Sequence, residues 1–317
     1  MLNIIIPHYN NYEGLKDLLK SLSLQTKKTF KITIVDDCSN NFEEIKELIK
    51  KFSSELKIEL LQTPKNGGPG AARQYGLDNI NEMFFDYVAF ADSDDFLLPR
   101  AVELLYKSAK RSDADVVSSP IICEQYNSDV KIKNTNWTWL HGKIYKVSFL
   151  KQNNICFPNI RANEDVYFNI LVNELAQTKV FIDDEVYLWR NNKDSITRKD
   201  NFYEKYGYLY IEALIGAYQK VLQKKPIDKT QLSINIPNLY KYYQISYCYG
   251  KKEQIDYMDK ILKEFFQNYP IITYINDNIE NIAKSIDANF NYKHKILWFK
   301  ESFPEWFSKL GGAINGI

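Results

Sequence analysis

The sequence lacks several features that would place it in a special class of protein. Its 41 Lys and Arg residues balance 40 Asp and Glu residues, so the formal net charge is +1 and no basic field exists to attract nucleic acid. No apolar run approaches the roughly 20 residues that a membrane-spanning helix needs. The four cysteines form no CxxC pair, which argues against a zinc site and favours free thiols in a reducing compartment.

What is present is the composition of a globular protein. The chain has 317 residues, of which 45% are hydrophobic and 26% charged, enough for one large domain or two ordinary ones. The first residues, MLNIIIPHYNN, carry no basic region, and Pro7 ends their apolar run early. We therefore expect a strand there rather than a signal peptide, and a cytoplasmic location.

Two hydrophobic periods alternate through the first 120 residues. Continuous apolar runs predict strands at 2–6, 30–35, 58–61 and 87–91, and a fifth beginning at 115. Between them, apolar residues at helical spacing predict helices near 15–22, 45–52, 71–79 and 99–109. Strands that alternate with helices indicate an α/β fold, with a mainly parallel sheet covered by helices on both faces.

The second half of the chain is predicted to be mostly helical. Residues 164–177 have one apolar helical face, 179–189 have the pattern of an edge strand, and 137–145 are predicted to be loop and strand. Helical spacing then recurs over 203–223, 231–249 and 253–268. We predict two domains, an α/β domain over 1–205 and a helical, aromatic-rich region over 206–317.

The strand ends are the place to look for chemistry, because open α/β sheets bind ligands beyond the carboxyl ends of their strands. The acidic turn Asp92-Ser93-Asp94-Asp95 follows an apolar strand directly. Clustered carboxylates are costly without a compensating cation, and their oxygens suit Mg²⁺ or Mn²⁺ together with phosphates. The alternative is a solvated acidic turn that caps the next helix.

Three further motifs carry polar groups. The Asp36-Asp37 pair ends a predicted strand, where a carboxylate can accept a hydrogen bond from a uracil N–H, although Asp also favours plain turns. The glycine-rich segment 65–73 allows close backbone approach to a phosphate or nucleotide, or merely connects two elements. Glu164-Asp165 at a helix start could supply a general base or an ordinary N-terminal cap.

These four motifs, in this order and spacing, resemble the family 2 glycosyltransferases with the GT-A fold. The stretches that carry the resemblance lie within residues 1–200 and are IIIPHYNN, ITIVDDCSNN, KNGGPGAARQYGL, VAFADSDDFLLP, HGKIYKVSFL and NEDVYF. Cys38 departs from the small residue that the family usually has at its position. The resemblance implies an inverting transfer of a sugar from a UDP-sugar to a hydroxyl of a glycan or lipid-linked acceptor, in bacterial surface-polysaccharide synthesis.

The resemblance also implies roles for individual residues. Asp165 would be the catalytic base, and Asp94 would ligate Mn²⁺ or Mg²⁺ at the diphosphate. His141, a lone histidine beside Trp139, could be a further metal ligand but more often such a residue is structural. The residues expected to bind the nucleotide-sugar are Pro7, Tyr9, Asp37, Asn66, Gly67, Arg73, Asp92, Ser93, Lys143 and Arg198.

Other readings remain open from the sequence. A nucleotidyltransferase also uses paired carboxylates on an α/β fold, but usually has a glycine-rich loop after its first strand, which IIIPHYNN lacks. A degenerate sugar-nucleotide-binding or scaffold module would keep the fold without activity, against which the intact acids argue. The tail over 293–310 mixes aromatics with lysines, which is typical of a helix on a membrane surface or of one packed on the protein's own core. Monomer and oligomer both stay open.

Overall fold

The computed structural model describes residues 1–124, 131–134, 138–192, 195, 201–227 and 229–268. It divides into two compact units, 1–195 and 196–317. Arg198 and the aromatic- and lysine-rich tail lie outside the described residues. Within the described part of the chain, no helix is both long and apolar enough to cross a membrane.

The first unit is built around a seven-stranded sheet. Its strands are β1 (Leu2–His8), β2 (Phe30–Asp36), β3 (Ile58–Gln62), β4 (Tyr87–Phe90), β6 (Val116–Ser118), β9 (Lys143–Lys146) and β10 (Lys179–Phe181). They lie in the order β10-β6-β9-β4-β1-β2-β3. All neighbours are parallel except β9, which runs antiparallel to both β4 and β6. The predicted mainly parallel α/β sheet is confirmed.

A second, four-stranded sheet lies in the same unit. It contains β5 (Phe96–Leu97), β7 (Ile121–Glu124), β8 (Lys131–Asn134) and β11 (Tyr187–Trp189), in the order β5-β11-β7-β8. The prediction of a single edge strand over 179–189 is wrong. That stretch forms two strands separated by a bend at 183–184. β10 is the edge strand of the large sheet, and β11 lies between β5 and β7 in the small sheet.

The helices of the first unit follow the predicted periodicity closely. They are α1 (Tyr12–Ser23), α2 (Phe42–Phe52), α3 (Pro69–Asp78), α4 (Ala101–Ser112), α5 (Val147–Gln152) and α6 (Glu164–Leu175). The apolar face of α1 is completely buried at Leu15, Leu18, Leu19 and Leu22. This face packs with β1 and β2 in one hydrophobic core, so the helices position the strand ends where the polar loops begin.

The second unit, in its described part, consists of three helices. They are α7 (Phe202–Leu222), α8 (Lys229–Tyr249) and α9 (Lys252–Asn268), which confirms the predicted helical C-terminal region. Tyrosines supply much of the packing, since Tyr210 and Tyr242 stack at 3.7 Å and Asn235 donates to the hydroxyl of the buried Tyr218 at 2.6 Å. Gly207 lets α7 approach α8, because a Cβ there would lie 2.8 Å from Ser246 Oγ.

A buried polar cluster ties β1 to β2. His8 Nδ1 lies 3.1 Å from an Asp36 carboxylate oxygen, and both side chains are fully buried. The other Asp36 oxygen accepts hydrogen bonds from Ser39 N–H and Gln62 Nε2. Burial alone would raise the pKa of Asp36, but the hydrogen bonds from His8, Ser39 and Gln62 lower it below its usual value.

The first testable prediction concerns this cluster. We expect His8→Ala to lower the free energy of unfolding by about 3 kcal/mol, because the Asp36 carboxylate loses a buried partner. Since the folded pKa of Asp36 is depressed, its contribution is present above the unfolded value of roughly 3.9 and is lost as pH falls through the folded value. Urea unfolding of wild type and variant between pH 7 and pH 3 measures both effects.

The matched control is Asp113→Asn, which removes an exposed carboxylate that pairs with Lys146. An exposed pair contributes at most about 1 kcal/mol, so this variant should unfold almost as wild type does. If His8→Ala were no less stable than Asp113→Asn, the cluster would not stabilise the fold as described.

Candidate active site

The polar loops predicted from the sequence meet at the carboxyl end of the large sheet. Asp37 follows β2, residues 66–70 lead from β3 into α3, and the acidic turn 92–95 follows β4. Asp37 bonds the glycine-rich loop, and Arg73 of α3 bonds Asp92 in the acidic turn. The carboxyl ends of adjacent parallel strands bring these loops together although up to 30 residues separate each from the next.

Asp37 organises the glycine-rich loop. Its Oδ1 accepts hydrogen bonds from Thr63 Oγ1 at 2.8 Å and Gly67 N–H at 2.9 Å, and its Oδ2 accepts one from Gly68 N–H at 2.7 Å. Asn66 Nδ2 donates to the Asp37 carbonyl at 2.9 Å. A carboxylate offers about four acceptor positions, so these contacts use most of its capacity. The role of Asp37 toward uracil stays a prediction, and a base would have to share this carboxylate.

Gly68 is the N-cap residue of α3, and its backbone conformation favours glycine. Its φ is 89° and its ψ 176°, and Pro69 follows at the first helical position. A Cβ on Gly68 would lie 3.3 Å from Cδ of Arg161. Arg161 in turn donates to Asn66 Oδ1 at 2.7 Å, so the segment before α6 reaches across to this loop.

The second prediction follows from that conformation. We expect Gly68→Ala to lower the free energy of unfolding by about 2 kcal/mol, since this region of φ and ψ strains any side chain. The loop that bonds Asp37 should shift as well, so UDP affinity should fall. Urea unfolding and calorimetry test both, with the exposed neighbour variant Lys65→Ala as control. Wild-type stability in Gly68→Ala would contradict the prediction.

The other residues predicted for the base pocket lie around β1. Pro7 is buried in β1 opposite Val35, whereas Tyr9 follows the strand and its side chain is 52% exposed. Ser93 Oγ, which is buried, accepts a hydrogen bond from Asn11 Nδ2 at 3.4 Å. An exposed tyrosine ring beside a rigid strand end provides a surface on which a base can stack.

Arg73 lies at the centre of the site rather than at its surface. The residue is only 4% exposed. It donates from one amino group to Asp92 Oδ1 at 2.6 Å and from the other to Glu164 Oε1 at 2.5 Å. The expectation that Arg73 holds the nucleoside therefore remains a prediction that competes with two buried ion pairs.

The acidic turn is held by an aromatic and histidine cluster. The Tyr187 hydroxyl accepts from the Asp92 N–H at 3.1 Å and donates to Asp95 Oδ2 at 2.8 Å. His141 stacks on the Tyr187 ring at 4.8 Å and places Nε2 3.1 Å from Asp92 Oδ2 and 3.7 Å from Asp95 Oδ2. Asp95 also accepts from Arg190 N–H at 2.8 Å, so its two oxygens are both used.

The electrostatics of the turn differ from one carboxyl to the next. Burial raises the pKa of Asp95 to about 8. Burial also acts to raise the pKa of Asp92, but Arg73 and His141 outweigh it and hold that pKa well below its usual range. Burial opposes protonation of His141, yet the hydrogen bond to Asp92 raises its pKa.

Asp94 differs from its neighbours in exposure and contacts. It is half-buried, and its Oδ2 accepts a hydrogen bond from Asn192 Nδ2 at 2.6 Å. Burial and the nearby Asp92 raise its pKa. A bound divalent cation would remove this repulsion, which is a reason for two carboxylates to stand together here.

The structure groups one set of potential metal ligands among the residues it describes, and Asp94 is not a member. Ligand atoms of Asp92, Asp95 and His141 lie within 4.8 Å of one another. His141 Nδ1 is buried without a hydrogen-bond partner in the described part of the chain. The carboxylate oxygens suit Mn²⁺ or Mg²⁺, but Arg73, His141, Tyr187 and Arg190 already bond the two carboxylates.

Asp165 stands in the first turn of α6, close to a buried lysine. Burial raises the pKa of Asp165 and raises that of Glu164 to about 7. Lys143 on β9 donates to the Trp139 carbonyl at 2.5 Å, and burial lowers its pKa to about 7. Asn169, one turn after Asp165 on α6, accepts from the Tyr145 hydroxyl at 2.9 Å and so fixes α6 against β9.

The sequence model named glycosyl transferase family 2 matches residues 3–168, more than half of the chain. The chain belongs to glycosyl transferase family 2. The matched range runs from β1 into the first residues of α6, and it contains the Asp37 loop, the acidic turn and Asp165.

Two curated relatives of this family 2 chain are named as poly(ribitol-phosphate) glycosyltransferases. The chain is 27% identical over 237 residues to a poly(ribitol-phosphate) beta-glucosyltransferase of Bacillus spizizenii. This alignment covers 70% of the chain and 36% of the relative. The chain is 26% identical over 236 residues to the poly(ribitol-phosphate) beta-N-acetylglucosaminyltransferase TarS of Staphylococcus aureus, covering 67% and 40%. The chain thus spans less than half the length of these two relatives.

Solved structures share the GT-A fold of this family 2 chain. S. aureus TarS 1–349 in complex with UDP-GlcNAc matches with a TM-score of 0.68 at 17% identity, over 95% of this chain and 91% of that one. The mannosyltransferase PcManGT from Pyrobaculum calidifontis, in complex with GDP-Man and Mn²⁺, matches with a TM-score of 0.53 at 12% identity, over 92% and 88%. Both likenesses confirm the fold predicted for the α/β unit.

Several site residues of this family 2 chain were missed by sequence reasoning. Tyr187, Asn192 and Arg161 contact predicted site residues that are 95 to 98 positions away. Glu164 was named only as part of the Glu164-Asp165 motif, and its contact with Arg73, 91 positions away, was not predicted. Nothing in the spacing of the motifs encodes such distances. The one available signal was the ED pair itself, in which a second acid stands beside the predicted base.

Proposed function

We propose that this chain is an inverting glycosyltransferase that transfers a sugar from a UDP-sugar to a hydroxyl of a glycan or lipid-linked acceptor, in bacterial cell-surface polysaccharide synthesis. The observation that supports the proposal most is that one buried arginine, Arg73, bonds both Asp92 of the acidic turn and Glu164, the neighbour of the predicted base Asp165. The relatives named for poly(ribitol-phosphate) and the UDP-GlcNAc complex of TarS support the donor and the setting.

In this proposal Asp165 acts as general base. It accepts the proton of the acceptor hydroxyl while that oxygen attacks the anomeric carbon from the face opposite the diphosphate. The bond from the anomeric carbon to the diphosphate oxygen breaks, and UDP leaves with the electron pair. The raised pKa of Asp165 makes it a stronger base, while its place at the start of α6 favours the anion that must accept the proton.

The remaining predicted residues orient the donor. Tyr9 and Pro7 would line the pocket for the base, and Asp37, with Asn66 and Gly67, would bind the edge of the uracil. Asp92, Ser93 and Lys143 would surround the ribose and diphosphate. The tail over 293–310, outside the described residues, is the segment that would contact a membrane surface carrying a lipid-linked acceptor, and packing on the protein's own core is its alternative.

A divalent cation, Mn²⁺ or Mg²⁺, belongs to the proposal. Asp94 would hold it, because its half-buried carboxylate can still meet a ligand whereas Asp92 and Asp95 are bonded by Arg73, His141, Tyr187 and Arg190. When bound, such an ion neutralises negative charge on a leaving diphosphate.

The third prediction tests the nucleotide site. Thermal unfolding with UDP, GDP, CDP and dTDP, each with and without Mn²⁺, should show the largest rise in Tm for UDP with Mn²⁺. At a concentration of about 100 times Kd the stabilisation is roughly 2.7 kcal/mol. An equal rise for all four nucleotides would contradict uridine selectivity, and no rise at all would contradict nucleotide binding.

Hydrolysis of UDP-sugars separates an enzyme from a binding module that has lost activity. A competent transferase should release UDP slowly when only water is available as acceptor. UDP binding without any release, over a panel of UDP-sugars, would favour the inactive module instead.

A further inference from the structure

The buried arginine of the site has contacts that suggest a role other than ligand binding. Arg73 is 4% exposed, and each of its two amino groups bonds a different carboxylate. Asp92 belongs to the turn after β4, and Glu164 is the first residue of α6. One side chain therefore connects two elements that are distant in sequence.

Gly70, on the same face of α3 as Arg73, also contacts Glu164. Gly70 precedes Arg73 by three positions, so both residues lie on one face of the helix. A Cβ on Gly70 would lie 2.8 Å from Cγ of Glu164. The absence of a side chain at Gly70 thus lets Glu164 pack directly on α3, between the helix backbone and the guanidinium.

Glu164 in turn determines where Asp165 stands. The two residues are adjacent in the first turn of α6, which begins after Asn163 in a left-handed conformation with φ 64°. The Asp165 carboxylate accepts from Val166 N–H at 2.9 Å, a contact within the same turn. Its position therefore follows that of the turn, and the turn is held by Glu164.

We propose that Arg73 is a positioning residue: through Glu164 it holds the first turn of α6, and with it Asp165, at a fixed place relative to Asp92. The inference rests on the proposed function, since it assigns Asp165 the base role. In this inference Arg73 bonds Asp92 and Glu164, while other residues bind the donor and the acceptor. Its loss should therefore slow the chemical step without weakening donor binding.

The test measures kcat and donor KM separately in Arg73→Lys, Arg73→Met and Glu164→Gln. A misplacement of a catalytic group by about 1 Å can cost about 100-fold in rate, so kcat should fall by about that factor in Arg73→Met. Arg73→Lys keeps the charge but bonds one carboxylate, and Glu164→Gln keeps the shape, so both should lie between Arg73→Met and wild type. Donor KM and the Kd of UDP should change little in all three.

A double variant, Arg73→Met with Glu164→Gln, adds a readout that a general structural defect would not give. If both residues act through one contact, the double variant should be about as slow as Arg73→Met alone, rather than slower by the product of both effects. Arg100→Met, which removes an exposed arginine from the start of α4, serves as the matched control and should keep wild-type kcat.

The outcomes separate the inference from the proposed function. A wild-type protein without UDP-sugar turnover would overturn the proposed function and this inference with it. If the wild-type protein turns over and Arg73→Lys has a raised Kd for UDP but an unchanged kcat, Arg73 is a nucleotide ligand. That result would overturn only the inference. If Arg73→Met fails to fold, as its Tm and circular dichroism would reveal, Arg73→Lys and Glu164→Gln decide the question.

Discussion

Replacing Asp165 by Asn is expected to lower kcat for sugar transfer by about 1,000-fold, within the range that general base catalysis contributes. Asparagine keeps the shape of the side chain and the hydrogen bond from Val166 N–H, but it cannot accept the acceptor proton. UDP affinity should stay close to that of wild type, because Asp165 is not among the residues proposed to hold the nucleotide. Initial rates with saturating donor, together with calorimetry of UDP binding, measure the two quantities.

The same residue predicts the pH dependence of the reaction. Burial raises the pKa of Asp165 above the ordinary value, and the base works only as the anion. The acid limb of kcat should therefore lie at a higher pH than that of an exposed aspartate, with the rate rising as pH increases.

The control for this variant is Asp78→Asn, which neutralises an exposed carboxylate at the end of α3. It should keep wild-type kcat and pH profile. Asp165→Asn with a wild-type kcat would remove Asp165 from the base role and direct the search to Glu164, whose pKa of about 7 also suits a base.

Replacing Asp94 by Asn is expected to weaken Mn²⁺-dependent UDP binding by more than about 100-fold. Loss of a residue that only supports a metal ligand costs roughly 10–100-fold, and Asp94 is proposed as a ligand itself. Metal and nucleotide affinity should fall together, because Asp94 would hold the ion and the ion would neutralise charge on the diphosphate. Titration of UDP with and without Mn²⁺ measures the loss, and the two titrations should become alike in the variant.

His141→Gln is the comparison that locates the ion. If Asp94 holds the metal, this variant should retain Mn²⁺-dependent binding of UDP, with a loss that reflects only the contact to Asp92. If instead Asp92, Asp95 and His141 hold it, His141→Gln should abolish the metal dependence while Asp94→Asn preserves it. Paramagnetic resonance of Mn²⁺ with each variant gives a readout independent of turnover.

The fold was largely predictable because its signals are local. The continuous run at Leu2–His8 and the four buried leucines of α1 each specify one element, and short polar loops leave few ways to connect them. The prediction failed at 179–189, where one apolar pattern covers two strands of different sheets. Periodicity describes the faces of an element but does not say which sheet it joins.

The site was predictable only in outline. The rule that loops gather at strand ends predicted that Asp37, the glycine-rich segment and Asp92 lie at one edge of the sheet. The role of Asp165 came from the family resemblance, and neither source predicted the contacts of these residues. Asp37 was expected to face a ligand, whereas its carboxylate bonds the Gly67 and Gly68 amides. The place of Arg73 between two acids depends on the crossing of α3 and α6, which no spacing in the sequence reveals.

The acidic turn is completed by residues that come almost one hundred positions later. Tyr187 and Arg190 bond Asp95, and β5, immediately after the turn, pairs with β11. On the ribosome, a nascent chain that has emerged only as far as β10 already contains every strand of the large sheet, but its acidic turn still lacks these bonds. The scaffold can therefore form during synthesis before the site is complete, and any chimera that keeps the acidic turn must also keep Tyr187 of β11 and the following Arg190.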